Sequence, residues 1–390
     1  MGALPTRSQP AAGRATPDWH RLIDRLLDGR DLTAEDIAWV MGRVMSGAAA
    51  PAQVAGFLVA LRAKGETPAE VAALAETTLG YARPVRLGTP RALDIVGTGG
   101  DRSHSVNIST MAALVAAAAG ATVAKVGNRS ATSRSGAADV LERLGVAIDL
   151  EPEAVAGCVA ELGIGFMFGP VCYPALGHIA DTRRALGVAT IFNLLGPLLN
   201  PARPSHALVG CAFPDRTRLL AEVFARRGAT VLLVRGDDGL DELTTTTTSS
   251  VWLVQDGTVT ERVLDPLALG IPRARSHDLR GGDAAANAET VRALVRGERG
   301  AVRDAVLLNA AAALATYDGF SGSLEDDLAA GLERAALAVD SGAAADLLAR
   351  WVKHSDRNRY STTEEVRRVC PDHNVESSNR EEDHGKPEPL

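Results

Sequence analysis

Four short stretches of this chain carry side chains suited to holding a phosphorylated ligand. The first, VGTGGDRSHSVNIST (96–110), runs three glycines in four positions, an aspartate, and then Asn-Ile-Ser-Thr at the start of an alanine-rich segment. Glycines let a ligand approach the backbone, and the free N–H groups of a helix start attract anions. Ser109 and Thr110 add hydroxyl donors. The spacing matches neither the dinucleotide GxGxxG pattern nor the P-loop, and standing alone the segment would read as a tight turn before an ordinary Ser/Thr helix cap. The second stretch, AKVGNRSATS (124–133), places one of only four lysines in a chain that otherwise uses arginine. A compact ammonium and a guanidinium fork are not interchangeable at a phosphate site, so Lys125 is a candidate ligand for one. The third, GDDGLDELTTTTTSS (236–250), sets Asp241 and Glu242 side by side after an apolar strand. Such oxygen ligands suit Mg²⁺, which keeps several waters and bridges protein carboxylates to phosphates. The fourth, DTRRALGVATIFNLLGPLLNPARP (181–204), offers Arg183 and Arg184 on a helix before a Gly-Pro stop.

The surrounding pattern says how these stretches are positioned. Residues 1–16 read as loose, and 17–85 as a small all-helical domain of four amphipathic segments, with Asp18 and Thr33 as N-caps. From about residue 90, apolar strands running into glycine alternate with helices, which predicts a large α/β domain with a mainly parallel central sheet over 90–172 and 201–353. Residues 173–200 are helical again and are assigned to the small domain. Residues 354–390 read as a disordered acidic tail. Ligands of open α/β sheets bind where strand ends meet loops, and a cleft between two domains is the default site.

Composition narrows the function classes. Apolar residues make up 46% and charged residues 23%, a globular mix. The 41 basic and 48 acidic side chains leave a net charge of −7, so nucleic acid and anionic membrane are not expected partners. The cysteines, Cys158, Cys172, Cys211 and Cys370, form no CxxC pairs, which argues against zinc and against a disulfide framework, and a cytoplasmic setting is expected. The apolar run Met111 to Ala124 is too short to span a bilayer.

In this order, GTGGD…NIST, K-x-GNR, RR-x-LG-x-x-T-x-FN-x-LGPL-x-NP and DGLDE closely resemble the anthranilate phosphoribosyltransferase family, from about Trp19 to Trp351. The resemblance implies a nucleoside-phosphorylase-like fold, usually a homodimer. It implies Mg²⁺-dependent transfer of 5-phosphoribosyl from phosphoribosyl pyrophosphate (PRPP) to an acceptor, with release of pyrophosphate. Carried over by position, it assigns Gly97, Gly100, Asp101, Ser105, Asn107, Ile108, Ser109, Thr110, Lys125, Gly127, Asn128, Arg129 and Ser133 to PRPP. Lys125 and Asp101 would act electrostatically, Ser109, Asp241 and Glu242 would hold the metal, and Asn128 and Arg183 would contact the acceptor. Ser105 stands where the family usually has threonine.

The acceptor side departs from the family pattern. Val126 replaces the histidine of K-H-G-N, Tyr173 stands where a second family histidine falls, and Asp181 takes a position that is often proline or small. Two potential donors to a carboxylate are gone and a carboxylate is gained. The reading that follows is a paralogue acting on a neutral or cationic natural-product intermediate, such as an aminoglycoside hydroxyl, with Val126, Tyr173, His178 and Asp181 lining the pocket. A hydroxyl acceptor would call for a general base, for which His178, His104 and Asp181 are candidates. The alternative is anthranilate itself, in tryptophan biosynthesis. A pyrimidine nucleoside phosphorylase and a non-catalytic binding paralogue are the more distant readings.

Overall fold

The computed structural model describes residues 17–89, 91–130 and 133–369. The N-terminal segment 1–16 and the last part of the expected tail, 370–390, lie outside the described residues. Four helices open the chain: α1 (Trp19–Leu27), α2 (Ala34–Met45), α3 (Pro51–Lys64) and α4 (Pro68–Leu79). Their starts are fixed by side chains. Asp18 accepts from the Arg21 amide, and Thr33 with Asp36 and Thr67 with Glu70 form reciprocal capping boxes. Glu70 also receives the Leu32 amide and the Lys64 ammonium, tying α4 to the loop before α2.

The larger domain follows as β1 (Leu93–Gly97), α5 (Ile108–Ala118), β2 (Val123–Gly127), α6 (Ala137–Leu144), α7 (Pro152–Leu162) and β3 (Ile164–Phe168). A helical excursion comes next: α8 (Gly169–Cys172), a 3₁₀ turn Pro174–Ile179, α9 (Ala180–Leu186), and α10 (Phe192–Leu195) with the 3₁₀ turn Gly196–Leu198. The chain then returns through β4 (His206–Gly210), α11 (Pro214–Arg226), β5 (Thr230–Gly236), β6 (Ser249–Gln255) and β7 (Thr258–Leu264). Four helices close it: α12 (Ala284–Val295), α13 (Ala301–Asp318), α14 (Leu324–Asp340) and α15 (Ala343–Val369). The excursion lies against the small domain: Arg62 of α3 donates to the Ala189 carbonyl, and the His178 imidazole sits against Gly47 just past α2.

The sheet runs β3-β2-β1-β4-β5-β6-β7, with β1 to β5 parallel and β6–β7 an antiparallel extension turned at Asp256-Gly257, both at positive φ. Alternate residues of each strand enter different cores. Leu93, Ile95, Ile164, Phe166, Leu208 and Leu232 join the core beneath α5 and α12–α15. Ala92, Val96, Ala124, Val126, Met167, Val209 and Leu233 join the core shared with α7, α11 and the small domain. α5 is almost wholly buried, which is why it is built from alanine and other small residues and why its N-terminus is held firmly. Strand order reverses between β1 and β4, so the loops after these strands border a topological switch point.

The tail reading needs a correction. α15 continues to Val369, well beyond residue 353. It is anchored by buried Trp351 and Ser355, whose hydroxyl accepts the Ala147 amide, and by Arg359 paired with Asp149. Those partners lie some two hundred positions away in sequence, so a polar stretch that shows no local apolar stripe is nonetheless held as helix.

Candidate active site

Lys125 lies in the middle of β2, flanked by Ala124 and Val126 of the small-domain face, so its own side chain falls on the α5 face. It is 2% exposed. Its ammonium donates to the Ile95 carbonyl and lies 3.5 Å from the Ser109 hydroxyl at the start of α5. Burial lowers its pKa, while the charges of Asp94, Glu242 and Asp241 act to keep it protonated. A cation buried this deeply is a component of a site rather than a surface charge at a strand end.

The carboxylates come from the loop after β5. Asp241 accepts the Gly99 amide at 2.7 Å, and Glu242 accepts the Ser109 amide at 3.2 Å. The glycine-rich loop and the α5 N-terminus, both anion-binding elements in the sequence, therefore meet the two acidic residues directly. Burial pushes the Asp241 carboxyl up to about 7, reinforced by the charge of Asp101. Burial, with Asp241 and Asp101 adding to it, pushes Glu242 well above the carboxylate range. Asp94, Asp241 and Glu242 thus share one ammonium, that of Lys125. Asn309 of α13 clamps the loop: its amide accepts the Leu243 N–H at 3.0 Å and donates to the Leu243 carbonyl at 2.8 Å. The threonine run does the same from outside, through Thr244 to Asp238 and Thr248 to Asp237.

Other sequence candidates are placed differently. Gly97 and Gly100 border the loop, Gly100 at positive φ against Phe213. Gly127 sits against Phe166 and Ala137. Ile108 is fully buried, and the buried Thr110 hydroxyl has no hydrogen-bond partner. Ser105 bridges to Arg280, and His104, at positive φ, uses its carbonyl to accept the Gly281 amide. Asn107 is spent within the protein, donating to the Ser135 carbonyl and accepting from Asn287. Ser133 bonds Ser130 and the Ser135 carbonyl, shaping its own loop. Arg129 pairs with both oxygens of Glu142 and with Asp139, contacts that hold its guanidinium firmly charged. In this structure its charge is answered by the protein.

The acceptor-side residues divide sharply. Val126 and Tyr173 share the small-domain core, and Tyr173 donates to the Leu199 carbonyl at 2.8 Å, with burial raising its phenol well above the usual range. Both are packing residues here. Asp181, 93% exposed at its side chain, pairs with Arg184, so the carboxylate credited to the pocket is a solvated surface ion. Asn128 lies against Gly169, where any side chain would overlap its amide. Arg183 is different. Its guanidinium lies 5.2 Å over the Phe192 ring, burial alone lowers its pKa, and it has no carboxylate partner among the described residues. Two surface hollows of about 450 and 500 Å³, near Arg350 and Arg299, contain none of these residues.

Asp94, Asn200, Gly210 and Asn309 were not singled out in the sequence. A charged residue inside the apolar strand ALDIVG was the available signal for the first.

Two domain families match this layout: the helical bundle domain of a glycosyl transferase family over residues 20–82, and the a/b domain of a glycosyl transferase family over residues 89–345. The chain is 60% identical to the anthranilate phosphoribosyltransferase of Saccharopolyspora erythraea over 343 residues, covering 88% of this chain and 97% of that one. It is 56% identical to that of Rhodococcus jostii, covering 87% and 94%. The structure of anthranilate phosphoribosyltransferase from Thermus thermophilus matches with a TM-score of 0.80 at 42% identity, over 86% of this chain and 99% of that one. That of Saccharomyces cerevisiae, in complex with PRPP and Mg, matches at 0.79 and 25%, over 87% and 98%. A two-domain glycosyl transferase with buried carboxylates facing a helix N-terminus is the class that fold and site define. Within it, the chain belongs to the anthranilate phosphoribosyltransferase family, and it is a phosphoribosyltransferase enzyme. No helix among the described residues is long and apolar enough to cross a membrane.

Proposed function

We propose that this chain transfers the 5-phosphoribosyl group of PRPP to anthranilate, the step that serves tryptophan biosynthesis. The observation that carries this reading is Arg183: a half-buried guanidinium on an aromatic ring, without a counter-ion among the described residues, fits a planar aromatic carboxylate. The neutral or cationic acceptor drawn from the sequence is corrected. The carboxylate it relied on, Asp181, faces solvent and pairs with Arg184, and the curated relatives at 54–60% identity are named as anthranilate enzymes.

The donor side supports PRPP. The buried Thr110 hydroxyl has no partner among the described residues, and the Lys125 ammonium, with two protein acceptors, keeps a third donor for a phosphate oxygen, while the Gly99 and Ser109 amides are held by Asp241 and Glu242. Asp241 and Glu242 fit Mg²⁺. Asp241 is buried and Glu242 half-buried, burial raises both carboxyls against the charge of Lys125, and the two stand side by side on one loop. That is the sparse donor set Mg²⁺ uses when phosphates complete its shell. Bound there, Mg²⁺ would polarise the pyrophosphate oxygens as a Lewis acid. Lys125 holds positive charge where the leaving group gathers negative charge, and Arg183 orients the acceptor carboxylate so that its neutral amine meets the ribose carbon as that carbon becomes oxocarbenium-like.

Loss of anthranilate fluorescence with purified protein, PRPP and Mg²⁺ tests the reading, and no loss with intact PRPP binding would defeat it. Arg183→Ala is expected to raise KM for anthranilate about 10- to 100-fold while leaving KM for PRPP within about threefold. Asp181→Ala, by contrast, is expected to change neither by more than about twofold, since it removes only an exposed ion pair.

A pH effect follows from the raised carboxyls. Asp241, with its pKa at about 7, holds its proton to higher pH in the folded chain than in the unfolded one. Between about pH 4 and the folded value, the folded state therefore binds more protons, and stability falls as pH rises. Cation binding opposes that loss only once the carboxyls ionise. The Tm gain on adding Mg²⁺ is expected to be larger at about pH 8 than at about pH 5.5, and in Asp241→Asn the gain is expected to lose most of this difference.

A further inference from the structure

The sheet has one discontinuity, and it lies at the site. β1 and β4 are paired at five positions, as are β2 and β3, but β1 and β2 are paired only at Leu93↔Val123. A parallel ladder continued from that pair would join the Ile95 amide to the Ala124 carbonyl and the Val126 amide to the Ile95 carbonyl. All four groups are buried, and each has been taken by a side chain instead. The Val126 amide donates to Asp94 at 3.2 Å, and the Ile95 amide is also directed to that carboxylate. Asn200 donates to the Ala124 carbonyl at 2.8 Å, and Lys125 donates to the Ile95 carbonyl. Asn200 closes the set by donating to Asp94 at 2.8 Å and accepting the Ala202 amide at 2.9 Å. Every backbone group of the two missing rungs is therefore satisfied.

Asp94 and Lys125 enter this gap from opposite faces of the sheet. Asp94 is flanked by Leu93 and Ile95 of the α5-side core, so it springs from the small-domain face, and it is 1% exposed. Lys125 springs from the α5 face. The gap opens toward the strand ends that lead into GTGGD and into VGN, the two loops assigned to the donor and acceptor.

We propose that Asp94 and Asn200 form a positioning unit for phosphoribosyl transfer. Inserted between β1 and β2, they set the separation of the two substrate loops and hold Lys125 against the Ile95 carbonyl and Ser109. Neither residue touches substrate, and the inference rests on the PRPP reading above. A continuous ladder in the same register would draw the strands to ordinary spacing and set the Val126 amide on the Ile95 carbonyl in competition with the ammonium.

The test compares unmodified protein with Asp94→Asn, Asn200→Asp and the reciprocal double variant, reading PRPP binding by calorimetry, KM for both substrates, and Tm. Asp94→Asn sets two amide donors against each other, and Asn200→Asp sets two carboxylates against each other. Each is expected to weaken PRPP binding about tenfold or more, with KM for anthranilate moving less than about threefold. The double variant restores a donor–acceptor pair between positions 94 and 200 but leaves the Ala124 carbonyl without its donor, so it is expected to recover part of the PRPP affinity lost in Asn200→Asp. A merely structural role would lower Tm and active fraction while leaving PRPP affinity and both KM values unchanged in all three variants. That result overturns the proposal. Should Asp94→Asn fail to fold, Asn200→Ala reads the same donor to Ala124, and unaltered PRPP affinity there overturns the proposal equally. Failure of the unmodified protein to bind PRPP would instead bring down the substrate reading on which the inference stands.

Discussion

A Lys125→Met variant is expected to lose about 10²- to 10³-fold in kcat/KM for PRPP, the scale of removing one well-placed electrostatic group from a dry site. The reason begins with the ground state. Asp94, Asp241 and Glu242 all rely on this one ammonium for charge compensation, and burial has already pushed Asp94 up to about 6. Methionine fills similar volume but leaves these carboxyls to hold protons or a cation in its place. Part of the loss of about 3–5 kcal/mol that follows breaking a buried pair is then absorbed by protonation, so folding is expected to survive at mildly acid pH. On the proposed reading catalysis has no such relief, because there the departing pyrophosphate gathers charge where the ammonium stood. Lys125→Arg is expected to restore little: a planar guanidinium does not fit between the Ile95 carbonyl and Ser109, groups that a compact ammonium reaches from a flexible stem. Steady-state kinetics on both variants, with Tm measured with and without Mg²⁺, checks this. Near-normal activity in the arginine variant would mean that any cation suffices there.

How far the sequence anticipated this site depends on whether a residue's task is local. The glycines of GTGGD, the Ser109 start of α5, and the Asp241-Glu242 pair were visible because turn, helix start and acidic pair are each written in a few adjacent residues. The parallel sheet was visible for the same reason, in the alternation of apolar strands with helices. Tasks set by distant partners were not visible. Arg129, assigned to PRPP from the sequence, is here paired with Glu142 and Asp139, ten and more positions on. Asp181 is a different case: its partner Arg184 stands only three positions on, and what the sequence did not show is that this helix face meets solvent. Tyr173 in place of a family histidine suggested a changed acceptor, whereas its hydroxyl serves Leu199, a neighbour in the core. Asp94 and Asn200 are 106 positions apart and meet in one sheet gap. Nothing in either neighbourhood announces the other.

Gly210→Ala is expected to cost about 10²-fold or more in activity, together with about 1–3 kcal/mol of stability, the range for overpacking a filled interior. In the sequence this glycine merely ends the strand HALVG. In the structure it is paired with Gly97 across β1 and β4, and the two form the surface against which Asp241 rests. A methyl group on Gly210 would overlap the Asp241 carbonyl oxygen, and one on Gly97 would overlap the Asp241 carboxylate. Alanine itself suits the backbone at 210, which is not among the positive-φ positions, so the effect is steric. The loop cannot yield outward cheaply, because Asn309 holds Leu243 from both sides and the Gly236 amide holds the Leu240 carbonyl at 2.8 Å. Asp241 must therefore move, and Glu242 with it, away from the amides of Gly99 and Ser109. The Mg²⁺ concentration for half-maximal rate is expected to rise along with the loss in kcat. Gly157→Ala, inside α7 with nothing close to the added methyl, serves as the control and is expected to gain about 0.5–1 kcal/mol with activity unchanged. Loss of stability in Gly210→Ala with an unaltered Mg²⁺ requirement would confine this glycine to strand pairing. A raised requirement would mean that two bare glycines, by letting a carboxylate come up to the sheet itself, define where the metal sits.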